Sequence, residues 1–241
     1  LYRDLGVSNR VYDFGACIHA EEDGRVNVSR RDLNDTDYEV TWETPVGSHS
    51  AVFRRSLNNP WHQPLKFAIA SAEDMKVAAW REAHRRYTWD QHRYDELCVE
   101  WAGLGAPQVN MPRASVQKLI VEEAGTEGTI YALADYPDVC EAYFEALDKR
   151  DRRWMEVLID SPIRIVCYGD NVHGRITPPS IFEKYLLPVY QRRNAVMQPA
   201  GKFTCAHWDG DCAPLLPYAR ETGLSGIEAV TPEPDRKSTR L

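Results

Sequence analysis

The densest group of reactive side chains lies in residues 202–214, whose sequence is KFTCAHWDGDCAP. An apolar run ends there, and an imidazole, two carboxylates and a thiol follow within six residues: His207, Asp209, Asp211 and Cys212. A carboxylate and an imidazole together can move a proton or hold a metal ion. Pro214 then opens a helix-like run. Because parallel α/β proteins bind ligands in loops between a strand and a helix, this segment is a candidate site.

A second polar loop follows the alternating run IRIVCY at residues 163–168. It carries Asp170, Asn171 and His173. Loops that follow neighbouring parallel strands open on the same edge of the sheet, so we expect both polar loops to meet. We predict that Asp170, Asn171, His173 and His207 are catalytic. The alternative is structural, because Asp and Asn also suit turns and helix caps, and a single loop histidine is often only hydrogen-bonded.

The pair His207 and Asp209 suits a divalent metal, because side chains two residues apart in an extended segment point the same way. We predict these two residues as metal ligands, with Cys212 as a third candidate. Asp209 and Asp211 are also predicted to bind a polar substrate. The pair is half of a two-histidine, one-carboxylate iron site, but no histidine follows residue 207. In the structural alternative, Asp211 caps the next helix, and Cys205 and Cys212 are buried apolar residues.

The composition is that of a globular protein, with 241 residues of which 43% are hydrophobic and 27% charged. The net charge of −7 argues against a nucleic-acid partner. No run approaches the roughly 20 apolar residues of a membrane span, so no membrane partner is expected. The six cysteines include no CxxC pair, which predicts reduced thiols and a cytoplasmic location.

Local patterns predict the elements that position these loops. Residues 24–55 are predicted as β structure, with a hairpin around Pro45–Gly47. Ser71 and Asp74 form a helix-capping pattern. Further helices are predicted over residues 90–102, 114–124, 137–159, 178–197 and 213–222, and strands over 163–168, 202–206 and 225–230.

The repeated order of strand, loop and helix favours a barrel over a doubly wound sheet, since the glycine fingerprint of dinucleotide-binding folds is absent. The predicted fold class is α/β, an incomplete (β/α)8 TIM-type barrel with an added antiparallel β-hairpin near the N-terminus. Residues 163–168, 202–206 and 225–230 are predicted to be parallel neighbouring strands.

Residues 169–191 and 202–234 resemble the uroporphyrinogen decarboxylase superfamily. In that family an Asp-rich loop is followed by a helix with a Leu-Pro-x-Tyr motif, seen here at Leu187–Tyr190. A strand then ends in His-x-Cys-Gly or a variant, seen here at His207–Gly210. TPVGS at residues 44–48 and SVQKLIVEEAG at 115–125 are also similar to family segments. The resemblance implies a (β/α)8 barrel with a deep pocket at its C-terminal mouth.

Two activities are implied by this resemblance. One is methyl transfer between corrinoid proteins and thiols, with zinc held by His-x-Cys and a later Cys. The other is decarboxylation of uroporphyrinogen without a cofactor, a step of porphyrin biosynthesis. The chain departs from both patterns, because Asp209 replaces the zinc-binding Cys, Leu119 stands where the decarboxylases carry Tyr, and Asn171 stands where they carry Ser.

We interpret the chain as a divergent enzyme of this superfamily, whose expected reaction is methyl transfer in corrinoid-linked one-carbon chemistry. The alternatives are a carboxy-lyase acting on uroporphyrinogen and a non-catalytic ligand-binding barrel. The expected cofactor is a divalent metal, zinc or another, and none if the chain is a true decarboxylase. The expected partners are a small-molecule substrate and a corrinoid protein, with a homodimer as an open alternative.

The domain prediction is a single partial barrel over residues 1–234. The last seven residues, DRKSTRL at 235–241, break the preceding pattern and are predicted to be a non-native tail. We expect the chain to be truncated at both ends.

Overall fold

The computed structural model describes residues 2–5, 11, 13–56 and 62–230. The chain groups into two compact units. The first unit comprises Leu1–Ala20, Tyr87–Ala114 and Asp151–Leu241, and the second comprises Glu21–Arg86 and Ser115–Arg150. The predicted tail at 235–241 lies outside the described residues.

Extended segments in the described residues are β1 (Ile18–Glu21), β2 (Asn27–Asp32), β3 (Asp37–Thr44), β4 (Gly47–Arg55), β5 (His62–Lys66), β6 (Arg86–Trp89), β7 (Gln108–Met111), β8 (Ile165–Val172), β9 (Phe203–Gly210) and β10 (Gly226–Val230). The α-helices are α1 (Tyr2–Leu5), α2 (Ala72–His84), α3 (Gln91–Glu100), α4 (Ser115–Lys118), α5 (Gly125–Asp135), α6 (Pro137–Ile159), α7 (Pro179–Ile181) and α8 (Leu187–Met197). Two π-helical segments, Leu119–Glu123 and Phe182–Leu186, extend α4 and join α7 to α8. Short 3₁₀ helices are Asp13–Cys17 and Ala213–Tyr218. No helix of these described segments is long and apolar enough to cross a membrane.

The first unit contains a four-stranded parallel sheet with the order β10-β9-β8-β7. Consecutive strands are therefore neighbours, as the sequence analysis predicts for the last three. The helical segment from α7 to α8 connects β8 to β9, so the unit is built from β/α repeats. Val11 adds a single parallel bridge to Pro107. The predicted α/β class is confirmed. The parallel sheet of the described residues has four strands, half the number of the predicted (β/α)8 barrel.

Strands β8 and β9 continue past the ends predicted for them, at residues 168 and 206. The register of β8 against β9 shifts between Tyr168 and Val172, and Val172 then pairs with Trp208. Asn171, at φ 52°, lies inside this irregular stretch. A bulge lets a strand absorb unpaired residues and continue, which local sequence patterns do not reveal. Asp170, His207 and Asp209 therefore lie on strands and not in loops.

One face of this sheet packs into the core of the first unit. Val166, Tyr168, Ala206 and Trp208 are fully buried there. The ring of Trp208 meets that of Phe182 edge-on, with centroids 5.4 Å apart. Since side chains alternate along a strand, Cys167, Cys205 and His207 point to the opposite face. We call this side, which carries Cys167, Cys205 and His207, the open face of the sheet.

The second unit contains an antiparallel sheet with the order β2-β3-β4-β5. The predicted hairpin is confirmed as β3 and β4, joined by a two-residue turn at Pro45 and Val46, and two further strands flank it. The predicted cap of α2 is also present, because the Asp74 backbone N–H donates to Ser71 Oγ at 3.2 Å. The carboxylate of Asp74 in turn accepts from the backbone N–H of Ala70 at 3.1 Å.

A buried charge cluster centres on Glu82 of α2, which is 3% exposed. Its carboxylate lies 3.2 Å from Arg85 Nη1 and 3.6 Å from Lys118 Nζ. Arg150 Nη1 lies 3.6 Å from the other carboxylate oxygen. Burial acts to raise the pKa of Glu82, but the surrounding cations outweigh it and lower the pKa to about 2. The ionised carboxylate is therefore the form that stabilises this unit.

Replacing Glu82 with glutamine should lower the free energy of unfolding by about 3 kcal/mol at pH 7, because it removes a buried negative charge that faces three cations. The folded-state pKa of about 2 lies below the ordinary 4.5, so the stabilisation is complete above about pH 4.5 and lost as pH falls toward about 2. Urea unfolding across this range measures the difference between wild type and variant. Glu73→Gln, at an exposed position of the same helix, is the control. A cost of Glu82→Gln that stays constant from pH 6 to pH 2 would contradict this assignment.

Candidate functional site

Asp170, near the end of β8, is fully buried. Its Oδ1 accepts a hydrogen bond from the backbone N–H of Ala114 at 2.9 Å, and its Oδ2 accepts from the hydroxyl of Tyr190 at 2.9 Å. Burial raises the pKa of this carboxyl, although the charge of Arg193 opposes the shift. Asp170 thus links the segment after β7 to α8, on the core side of the sheet. Its observed contacts are those of a residue that holds the sheet and helix together.

His173 follows β8 and packs directly against Gly210 at the end of β9. A Cβ at Gly210 would clash with Cδ2 of His173. Gly210 also has a φ of 85°, a backbone conformation that favours glycine, so both features require glycine at this position. The backbone N–H of Gly174 donates to the carbonyl of Asp211 at 2.9 Å. The two polar segments therefore lie against each other, as predicted. Asn171 is exposed at this edge.

Asp211 and Cys212, at the ends of these segments, make contacts with the segment that follows β8 and with β8 itself. Asp211 Oδ2 lies 3.5 Å from Arg175 Nε. The thiol of Cys212 is buried and donates to the carbonyl of Val172 at 3.3 Å, and burial raises its pKa to about 11. A protonated thiol bound to a backbone carbonyl is a poor metal ligand. The predicted cap at Asp211 is wrong, because the following 3₁₀ helix has Cys212 at its cap position with no side-chain hydrogen bond.

His207 and Asp209 lie on one face of β9, as their spacing predicts, with His207 Nε2 4.0 Å from Asp209 Oδ2. A carboxylate that the sequence analysis does not identify holds the other ring nitrogen. Glu228 Oε1 lies 3.1 Å from His207 Nδ1. If Nδ1–H donates to Glu228, Nε2 is the unprotonated ring nitrogen, on the side of the ring that approaches Asp209. Asp209 is exposed at the rim of this face.

Glu228 belongs to β10 and pairs in register with His207. It also lies 3.2 Å from the sulfur of Cys167 on β8. Cys205, which pairs with Cys167 across the two strands, completes a close group with them. The residue type of Cys205 suits a core position, but its spacing of two residues from His207 puts both side chains on one face of β9. That spacing is the signal that could have located the group.

Of the predicted site residues, His207 and Asp209 share the open face of the sheet, and Asn171, His173 and Asp211 lie at its carboxyl edge. Asp170 and Cys212 are buried in contacts within the fold. The open face combines an imidazole, two carboxylates and two thiols: His207, Asp209, Glu228, Cys167 and Cys205. Such a set can exchange protons or bind a metal.

A scan of protein-family models finds none that matches this chain, and no curated protein matches its sequence. Among solved structures, a methyltransferase from Methanosarcina mazei is similar, with a TM-score of 0.49 and 10% sequence identity. The likeness covers 73% of this chain and 51% of that chain, so the chain spans about half the length of that methyltransferase. A likeness of this size carries no argument about activity. The parallel α/β architecture rests on the strand pairing described above.

Proposed function

We propose that the chain is a methyltransferase-type enzyme of the uroporphyrinogen decarboxylase superfamily, acting in corrinoid-linked one-carbon transfer. Two lines of support meet at His207. The resemblance of residues 169–191 and 202–234 aligns His207 with the histidine of the family's His-x-Cys-Gly motif. The contact of its Nδ1 with Glu228, at 3.1 Å, is the observation that carries the proposal, because it leaves Nε2, which lies 4.0 Å from the exposed Asp209, to act as the base. The barrel that the resemblance implies would place this face inside its mouth.

The chemical role of His207 follows from this geometry. A thiol attacks a methyl group as the thiolate, so the thiol must first lose its proton. His207 Nε2 takes that proton, and the carboxylate of Glu228 stabilises the imidazolium that results. The thiolate sulfur then forms a bond to the methyl carbon, and the cobalt–carbon bond of the methylcorrinoid substrate breaks. The bonding electrons leave with the reduced corrinoid, so the step needs no other reactant.

The other residues at this end of the sheet bind the substrate or position the strands. Asp209 is exposed beside His207, so we assign it to a polar group of the substrate. His173 fixes the close approach of the two segments by packing on Gly210. Asp170 positions β8 against α8 through Tyr190 and does not touch the substrate.

The test is transfer of the methyl group of methylcobalamin to a small thiol, followed by the appearance of reduced cobalamin and of the methyl thioether. His207→Gln should lower kcat about 10²–10⁴-fold, because it removes the general base. Asp209→Asn should act mainly on KM. His92→Gln, at an exposed histidine on α3 of the same unit, is the control and should leave the rate unchanged.

Wild-type activity that His207→Gln preserves would contradict the role given to His207. Release of CO₂ from uroporphyrinogen without methyl transfer would replace the proposal with the carboxy-lyase alternative. A chain that turns over neither substrate would favour a ligand-binding barrel.

A further inference from the structure

Three neighbouring strands bring two thiols and a carboxylate together on the open face of the parallel sheet. Cys167 on β8 pairs in register with Cys205 on β9, and Cys205 pairs with Gly226, two residues before Glu228 on β10. One ligand atom from each of Cys167, Cys205 and Glu228 lies within 4.8 Å of the other two. The sulfur of Cys167 and Oε1 of Glu228 are 3.2 Å apart.

We propose that Cys167, Cys205 and Glu228 form a binding site for a thiophilic divalent cation, with zinc as the best fit. Tetrahedral zinc binds sulfur at about 2.3 Å and carboxylate oxygen at about 2.0 Å, which places ligand atoms about 3.3–3.8 Å apart. The observed separations match this after small side-chain movements. Two thiolates favour zinc over magnesium or calcium, which prefer oxygen ligands alone.

These ligands differ from those that the sequence spacing suggests. The predicted pair His207 and Asp209 lie 4.0 Å apart, and Cys212 instead contacts the carbonyl of Val172. His207 is a positioning residue for the cation, because its Nδ1 holds the carboxylate of Glu228. Metal-binding carboxylates and imidazoles are commonly oriented by such hydrogen bonds, whose loss weakens metal affinity.

The three proposed ligands differ in burial, so that one side of the site stays accessible. Cys167 is 1% exposed, whereas Cys205 and Glu228 are half-buried. The cation is therefore enclosed on the Cys167 side and open on the other. Three protein ligands leave the fourth position of a tetrahedral ion for water or a small molecule, which is the arrangement of zinc sites that do chemistry. The site goes beyond the proposed function and does not depend on methyl transfer.

Cobalt(II) titration of the metal-free, reduced full chain tests the site directly. Bound to two thiolates, Co²⁺ gives a near-ultraviolet sulfur-to-metal charge-transfer absorption, which should saturate at one equivalent. Cys205→Ser and Cys167→Ser should each abolish this absorption. Glu228→Gln should weaken binding, and His207→Gln should weaken it about 10–100-fold without removing the absorption.

Asp209→Asn and Cys212→Ser are matched controls that should bind cobalt as the wild type does. Circular dichroism and thermal unfolding of the metal-free variants show whether each is folded. Absorption that survives in Cys205→Ser but is lost in Cys212→Ser or Asp209→Asn would overturn the proposal in favour of the ligands predicted from spacing. Failure of the folded wild type to bind cobalt would also overturn the proposal. So would a disulfide between Cys167 and Cys205 that persists in fully reducing buffer.

Discussion

Replacing Trp208 with alanine should lower the free energy of unfolding by about 3–5 kcal/mol, because it removes a large, fully buried aromatic side chain. The indole packs on the core face of β9, edge-on to Phe182. That helix-side contact fixes β9 to the segment between α7 and α8. Equilibrium unfolding in urea measures the loss, with the two-state assumption checked by a second probe.

Phe203→Ala is the matched control on the same strand. Phe203 is 55% exposed and lies on the opposite face, so its loss should cost less than about 1 kcal/mol. Equal costs for Phe203→Ala and Trp208→Ala would mean that the two faces of β9 are assigned the wrong way round. In that case the open face described here, with Cys205 and His207, would be the core.

Arg193→Met should lower the free energy of unfolding by about 3–5 kcal/mol, because it removes the buried cation that pairs with the buried carboxylate of Asp151. Arg193 is 1% exposed, and its Nη2 lies 2.7 Å from Asp151 Oδ2. The same nitrogen donates to the carbonyl of Pro112 at 2.9 Å. The guanidinium also opposes the rise in the pKa of Asp170. Its removal should therefore raise that pKa further, which carboxyl NMR titration would detect.

The double variant Arg193→Met with Asp151→Leu separates an ion pair from simple packing. Replacing both partners with apolar residues removes the uncompensated charge, so the double variant should be more stable than Arg193→Met alone. Arg192→Met, at the exposed neighbouring position, should change stability by less than about 0.5 kcal/mol. A double variant less stable than either single variant would contradict the assignment of a charge-driven cost.

Strong local patterns predicted the regular elements well. Helix α6 begins and ends where the sequence analysis places it, at residues 137 and 159, because a first-turn proline and a long apolar periodicity define it. The cap at Ser71 and the turn at Pro45 and Val46 are also local features with a defined chemistry. The parallel order of the last three strands followed from the repeated alternation of strands and helices.

The site was only partly predictable, because its composition depends on strand register. Glu228 joins His207 only through the pairing of β10 with β9, which no local pattern specifies. Cys205 is as compatible with a core as with a metal site, since a thiol is both apolar and a ligand. Asp170 has the residue type of a catalyst, yet its hydrogen bonds to Ala114 and Tyr190 occupy both carboxylate oxygens.

The proposed metal site is tested most directly by anomalous diffraction from crystals of the zinc-loaded chain, recorded on both sides of the zinc absorption edge. We expect one peak about 2.3 Å from the sulfurs of Cys167 and Cys205 and about 2.0 Å from an oxygen of Glu228. His207 should contact that carboxylate through Nδ1. A peak bound by His207 and Asp209 without either cysteine, or a fully loaded crystal with no peak on this face, would contradict the assignment.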